Sequence, residues 1–156
     1  MTKSESQEVK EWLWGYREAV QDCRRLEDEY RQLVAGQEAP KAIEYGQMPG
    51  GHGDGEDLSH YMAIREDLLG RIARAKARMA SALSERLDAI EELPTFAQRD
   101  VASMRYIQLK GCRPMGWDEI ARRAGYSQRR VFDVHGQALE ELHRMMQADK
   151  DSSKMQ

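Results

Sequence analysis

The sequence predicts an all-α fold. It reads as a long N-terminal antiparallel helical hairpin over residues 1–94, a compact C-terminal lobe of short helices over 95–147, and a disordered tail over 148–156. Three observations lead there. The 156 residues are 40% apolar and 33% charged but only 7% aromatic, too poor in sheet-forming side chains for a β-rich fold. Apolar residues recur at helical spacing over two long stretches. Between Gly116 and Val134 a third signal, made of turn and capping residues, joins two short helices.

The first helix is carried by Val9, Trp12, Tyr16, Ala19, Cys23, Leu26, Tyr30 and Leu33, whose spacings alternate between three and four. Its other faces hold charges of both signs, suited to pairing along the helix. The second helix, from about Glu56 to Glu92, carries Tyr61, Ile64, Leu68, Ile72, Ala75, Met79, Leu83, Leu87 and Ile90. Stripes this narrow need partners, and the simplest partner for each is the other. The stripe could alternatively pair between two chains, so a homo-oligomer through these helices stays open. Arg65, Arg71, Arg74, Lys76, Arg78 and Arg86 read as a solvated basic face of the second helix, with contact to DNA flanks as the alternative.

Residues 36–55 contain Pro40, Met48-Pro49-Gly50-Gly51 and Gly53-Asp54-Gly55. The stretch has neither the Gly-Lys-Ser/Thr ending of a phosphate loop nor the acidic spacing of a calcium loop, and reads as a flexible connection. Pro94 then ends the long helix. Thr95 caps the next one, with Gln98 completing a capping-box pattern. Helices are expected over Phe96 to Lys110, Trp117 to Ala124, and Ser127 to about Gln147, with fraying from Asp149.

The run from Gly116 to Val134 is the most informative. Ile120 and Ala124 face a core, and Ala121 must be small where two helices cross. Gly125 supplies the positive φ of a sharp exit, and Tyr126 packs back under the turn. Ser127 caps the second helix, whose buried stripe is Val131, Val134, Ala138 and Leu142. This pattern describes a helix-turn-helix, whose second helix can enter the DNA major groove. Gln128, Arg129 and Arg130 fill its first turn, where acids would suit the helix dipole better, so function explains them better than stability does.

Charge agrees in sign. Residues 1–94 hold 13 Lys and Arg against 19 Asp and Glu, whereas residues 95–147 hold 9 against 6. A basic lobe on an acidic chain suits double-stranded DNA.

The same run resembles region 4 of the sigma-70 family over roughly Thr95 to Leu142, most tightly from Trp117 through Leu139. Trp117-Asp118-Glu119-Ile120-Ala121 looks like the supporting helix, and Ser127-Gln128-Arg129-Arg130-Val131 like the opening of the recognition helix. Over the whole chain the sequence is similar to phage-encoded sigma-like regulators of the RinA/ArpU type. The similarity rests on Trp12-Leu13-Trp14-Gly15-Tyr16, Met48-Pro49, Arg105-Tyr106-Ile107, Tyr126-Ser127 and His135-Gly136-Gln137-Ala138-Leu139. It implies control of phage or prophage genes in the cytoplasm of a bacterial host, with RNA polymerase as a second partner. Nothing corresponds to the strand-melting region of a complete sigma factor.

Candidate DNA-binding residues are therefore Ser127, Gln128, Arg129, Arg130, Phe132, Asp133, Gln137 and Arg123. Gln128 suits adenine, Arg129 guanine and Asp133 the cytosine amino group, although Asp133 also stands four residues from Arg129 and can pair with it. Arg130 and Arg123 suit phosphates. Phe132 can touch a thymine methyl, contact a partner, or fold onto the lobe. No metal is expected, since His135 and His143 lie two helical turns apart and His52 and His60 have no ligand cluster. No nucleophile and base combine, so neither catalysis nor a cofactor is expected. Cys23 and Cys112 make no paired motif. No run approaches a membrane span, and the polar start is not a secretion signal. The runner-up readings are a packaging subunit resembling small terminases and an adaptor that binds RNA polymerase.

Overall fold

The computed structural model describes residues 1–38 and 54–156, the side chains from Glu38 to Glu56 excepted. Its elements are α1 (Lys3–Glu38), α2 (Asp54–Glu91), α3 (Phe96–Tyr106), α4 (Trp117–Ala124) and α5 (Gln128–Lys154). The fold is all-helical, as the periodicity implies. The flexible connection expected over 36–55 largely lies outside the described residues, its Met-Pro pair included. At its two ends α1 continues through Gly36 and α2 already contains Gly55.

Contacts divide the chain into two units, Met1–Val20 with Met79–Gln156, and Gln21–Arg78. A boundary at residue 94 therefore differs from the packing, because the larger unit includes both the start of α1 and the end of α2. One of its cores joins Val9 and Leu13 of α1, Ile90 of α2, Leu93, Ala102 and Tyr106 of α3, and Ala138, Leu139 and Leu142 of α5. Val9 and Leu13 are 0% exposed. Leu13 was not on the expected stripe, while Trp12 and Tyr16, which were, are half-buried. Leu13 is wholly apolar and closes the core, while Trp12 packs against it from the margin.

Arg86 is a further departure from the sequence reading. Expected on a solvated face, it is only 8% exposed. Its Nε and Nη2 donate to the Trp12 carbonyl at 3.0 and 2.8 Å, Nη1 donates to Ala82 O at 3.2 Å, and the guanidinium lies 4.6 Å from the Trp12 ring centre. Burial lowers its pKa, with the nearby Glu85 carboxylate opposing that shift. Gly15 makes the seat possible, since a Cβ there would collide with Nη2.

The expected start of α3 is only half realised. Thr95 Oγ1 accepts from Gln98 N–H at 3.2 Å, but the buried Gln98 Oε1 has no described partner, so the return bond of a capping box is not made. The helix stops at Tyr106, four residues before the expected end. The chain then forms a tight turn in which Gly111 takes φ 66° and Lys110 pairs backbone groups with Arg113. Arg17 Nε holds this turn from α1, donating to Cys112 O at 2.7 Å. At the other end, α5 continues to Lys154 instead of fraying at Asp149. Lys150 Nζ meets Glu8 Oε1 of α1 at 2.7 Å.

In the smaller unit, Cys23 and Leu26 of α1 are buried with Ile72 and Ala75 of α2. Asp22 faces Arg78 at 3.5 Å and the Tyr30 hydroxyl accepts from Arg65 Nε at 3.3 Å, so the two segments run antiparallel. Ile64, expected on the stripe, is exposed. Cys23 Sγ donates to Glu27 Oε1 at 3.4 Å, and burial raises the pKa of its thiol.

Candidate nucleic-acid interface

The α4–turn–α5 segment stands on its own core. Ile120 and Ala121 of α4, Val131 and Val134 of α5, Val101 and Met104 of α3, and Met115 are buried together. Asp118 and Glu119 open α4 and Arg122 and Arg123 close it, a charge order that complements the dipole. Gly125 leaves the helix at φ 73°, and the N–H groups of Gly125 and Tyr126 both donate to Ala121 O. That pairing satisfies a carbonyl the helix would otherwise leave open. Ser127 then takes an extended conformation, and its Oγ accepts from Arg130 N–H at 3.2 Å.

The stripe Val131, Val134, Ala138 and Leu142 is buried as expected, joined by His135 and Leu139. The rest of the first two turns faces outward. Gln128, Arg129, Arg130, Asp133 and Gln137 are exposed, and the first turn of α5 holds no acid. Among the described residues Arg129 and Asp133 make no ion pair with each other, so the alternative role weighed for Asp133 is not taken up. Arg130 stacks on the Tyr126 ring at 4.6 Å, which orders its guanidinium while leaving its edge accessible. Phe132 is 48% exposed, with its ring 5.2 Å from that of Trp117. It partly folds back and partly remains presented.

Arg123 is less free than the sequence suggests. It meets Glu119 at 3.0 Å, and Lys110 reaches the same carboxylate at 2.8 Å. The hydrogen bond from Lys110 contributes most to holding the Glu119 carboxyl below its usual range. Both cations are exposed, as are Arg122 and Arg113. Sequence reasoning missed Lys110, Arg113 and Arg122 as members of this basic surface. The adjacency of Arg122 to Arg123 was an available signal, whereas the turn that brings Lys110 to Glu119 was not.

Behind the exposed face lies an unanticipated aromatic cluster. The Tyr106 hydroxyl and His135 Nε2 share a buried hydrogen bond of 2.8 Å. Burial pushes the Tyr106 hydroxyl well above its normal range and His135 down to about 4, so both are neutral near pH 7. Arg105 lies between Trp14 and Trp117, 5.3 and 4.4 Å from their ring centres, and donates to Met115 O at 2.7 Å. These contacts tie α3, α4 and α5 to Trp14 of α1.

Among the described residues no group of three or more His, Cys, Asp and Glu is placed to hold a metal ion. No described helix is long and apolar enough to cross a membrane. No family model, curated protein or solved structure matches the chain.

Proposed function

We propose that the protein is a sequence-specific, double-stranded DNA-binding transcription regulator that reads duplex through the first two turns of α5. The observation that carries the reading is the exposed Gln128-Arg129-Arg130 tip. It is free of acids, capped by Ser127 and held from behind by a fully packed apolar stripe. A helix N-terminus with its amides and two arginines is attractive to phosphates, and the side chains beyond it have the donors and acceptors that distinguish base edges. Gln128, Arg129 and Asp133 read bases in this proposal, Gln137 continues the same face, and Arg130 and Arg123 position the backbone. Phe132 contacts a thymine methyl from the edge of the surface. The resemblance to sigma-70 region 4 and to RinA/ArpU-type regulators adds the setting of a phage or prophage regulator in the host cytoplasm, with RNA polymerase as a second partner. The proposal assigns no catalytic step.

The test is selection of bound duplexes from a random pool at two salt concentrations. One sequence family should persist at the salt that removes non-specific binding. Arg129→Ala should weaken the selected duplex by roughly 1–3 kcal/mol and relax preference at one position. No enrichment, or equal losses on selected and random duplexes, would overturn base reading by α5. Capture of RNA polymerase under those conditions would instead favour the adaptor.

A further inference from the structure

The smaller unit contains a cavity of about 170 Å³ lined by Asp22, Arg25 and Leu26 of α1 and by Arg71, Arg74 and Arg78 of α2. The spacing of Arg71, Arg74 and Arg78 puts all three on one face of the helix. This concentration runs against the unit's own balance, since residues 21–78 hold nine Lys and Arg against eleven Asp and Glu. Leu26, buried, forms an apolar wall.

Four guanidinium groups in one cavity repel each other, and the nearby carboxylates offset only part of that. Arg25 donates to Asp22 at 2.7 Å and to Glu29 at 3.0 Å. Arg71 engages Asp67 through Nε at 2.8 Å, and Arg78 reaches Asp22 at 3.5 Å. Arg74 makes no hydrogen bond or ion pair with any described residue. The lining therefore carries four cations and one anion, with Arg25 fixed by its two carboxylates and Arg74 without a partner. The Asp22 carboxyl is held low chiefly by its hydrogen bond from Arg25, so it stays paired rather than competing for a proton. Guanidinium groups arriving from two helices present donors in several directions, which matches the tetrahedral oxygens of a phosphate better than a planar carboxylate.

We infer that this cavity binds a phosphate group through Arg71, Arg74 and Arg78, with Arg25 held in place beside them. The phosphate can come from a nucleic-acid backbone or from a free phosphate-bearing small molecule, and the two sources are separable. The inference does not depend on what α5 reads.

The experiment uses the full chain and an Arg74→Gln/Arg78→Gln variant, with circular dichroism checking that both fold. In the first arm, inorganic phosphate replaces chloride at constant ionic strength while the arginine Nε–H signals are followed by NMR. In the second, binding of a random-sequence duplex is measured against salt. Saturable shifts at Arg71 and Arg74 of the unaltered chain, with binding read at Arg71 weakened about tenfold or more in the variant, support the site. A salt slope for duplex binding that falls by about 2 in the variant assigns the phosphate to the nucleic-acid backbone, with or without saturation by the free ion. An unchanged slope with saturable phosphate binding assigns it to a small molecule. Shifts that do not saturate or are equal in the variant, together with an unchanged slope, overturn the inference. Arg129→Ala keeps the two proposals apart, because it should relax sequence preference at one position and leave the phosphate titration intact.

Discussion

The imidazole of His135 is 7% exposed and stands between the Tyr106 hydroxyl and the edge of Trp117, whose ring centre is 4.8 Å away. Burial is the main reason its pKa falls to about 4, with Lys10 and Arg105 adding repulsion. An unfolded histidine titrates near 6.5, so between roughly pH 4 and 6.5 the unfolded chain binds the extra proton. The stability associated with neutral His135 is therefore complete above about pH 6.5 and is lost as pH falls towards 4. The shift corresponds to about 3 kcal/mol. Urea unfolding at a series of pH values should show stability falling through that window, and His135→Gln should flatten the slope. An unchanged slope in the variant would mean that other groups carry it. Sequence alone offered four histidines with nothing to separate them. His135 lies beside the apolar stripe of α5, but its partner Tyr106 is 29 residues upstream, and helical spacing cannot pair groups across a turn. Arg86 was hidden for the same reason, since its acceptor is the Trp12 carbonyl 74 residues away.

At the scale of single elements, the α4–α5 corner was the most legible part of the chain. Its determinants are local: a glycine at the helix exit, a serine cap two residues later, and apolar positions within a few turns. The structure gives each the conformation its chemistry demands, with Gly125 at φ 73° and Ser127 accepting from Arg130 N–H. Gly125→Ala should cost about 1 kcal/mol, because an L side chain is strained at that φ. Ser127→Ala should cost a similar amount through the lost cap. Denaturant midpoints check both, and an unchanged midpoint in Gly125→Ala would mean that the turn relaxes to another geometry. The ends of α3 and α5 were less legible because long-range partners set them. The turn after α3 is held by Arg17, and the last turns of α5 carry Lys150 to Glu8.

Across the larger unit, one core joins α3 and α5 to the start of α1. Tyr106, Leu139 and Leu142 pack with Val9 and Leu13, so residues 95–156 alone would expose the apolar surface that these two cover. Leu13→Ala should destabilise the protein by about 2–5 kcal/mol, the range for emptying a leucine-sized space in a closed core. Denaturant unfolding should show that loss as a single transition shared by the tryptophan signal and the helical signal. A lobe that keeps its midpoint while only the N-terminal segment melts would contradict the shared core. The all-helical class was legible from composition and local spacing. The partition was not, because the heptad pattern places Trp12 and Tyr16 on the stripe and gives no hint that Leu13, one residue off it, closes a core against α5.

The seat of Arg86 against Gly15 adds a directional rule to this packing. Near-heptad stripes permit neighbouring rods to slide by one repeat with little change in oil-like contact. Displacing this end of α2 along the start of α1 by one such repeat, about 10.5 Å, would pull the guanidinium out of its notch and strand a desolvated positive charge. Gly15 and Arg86 thus act as a detent that fixes the axial alignment of the end of α2 on the start of α1.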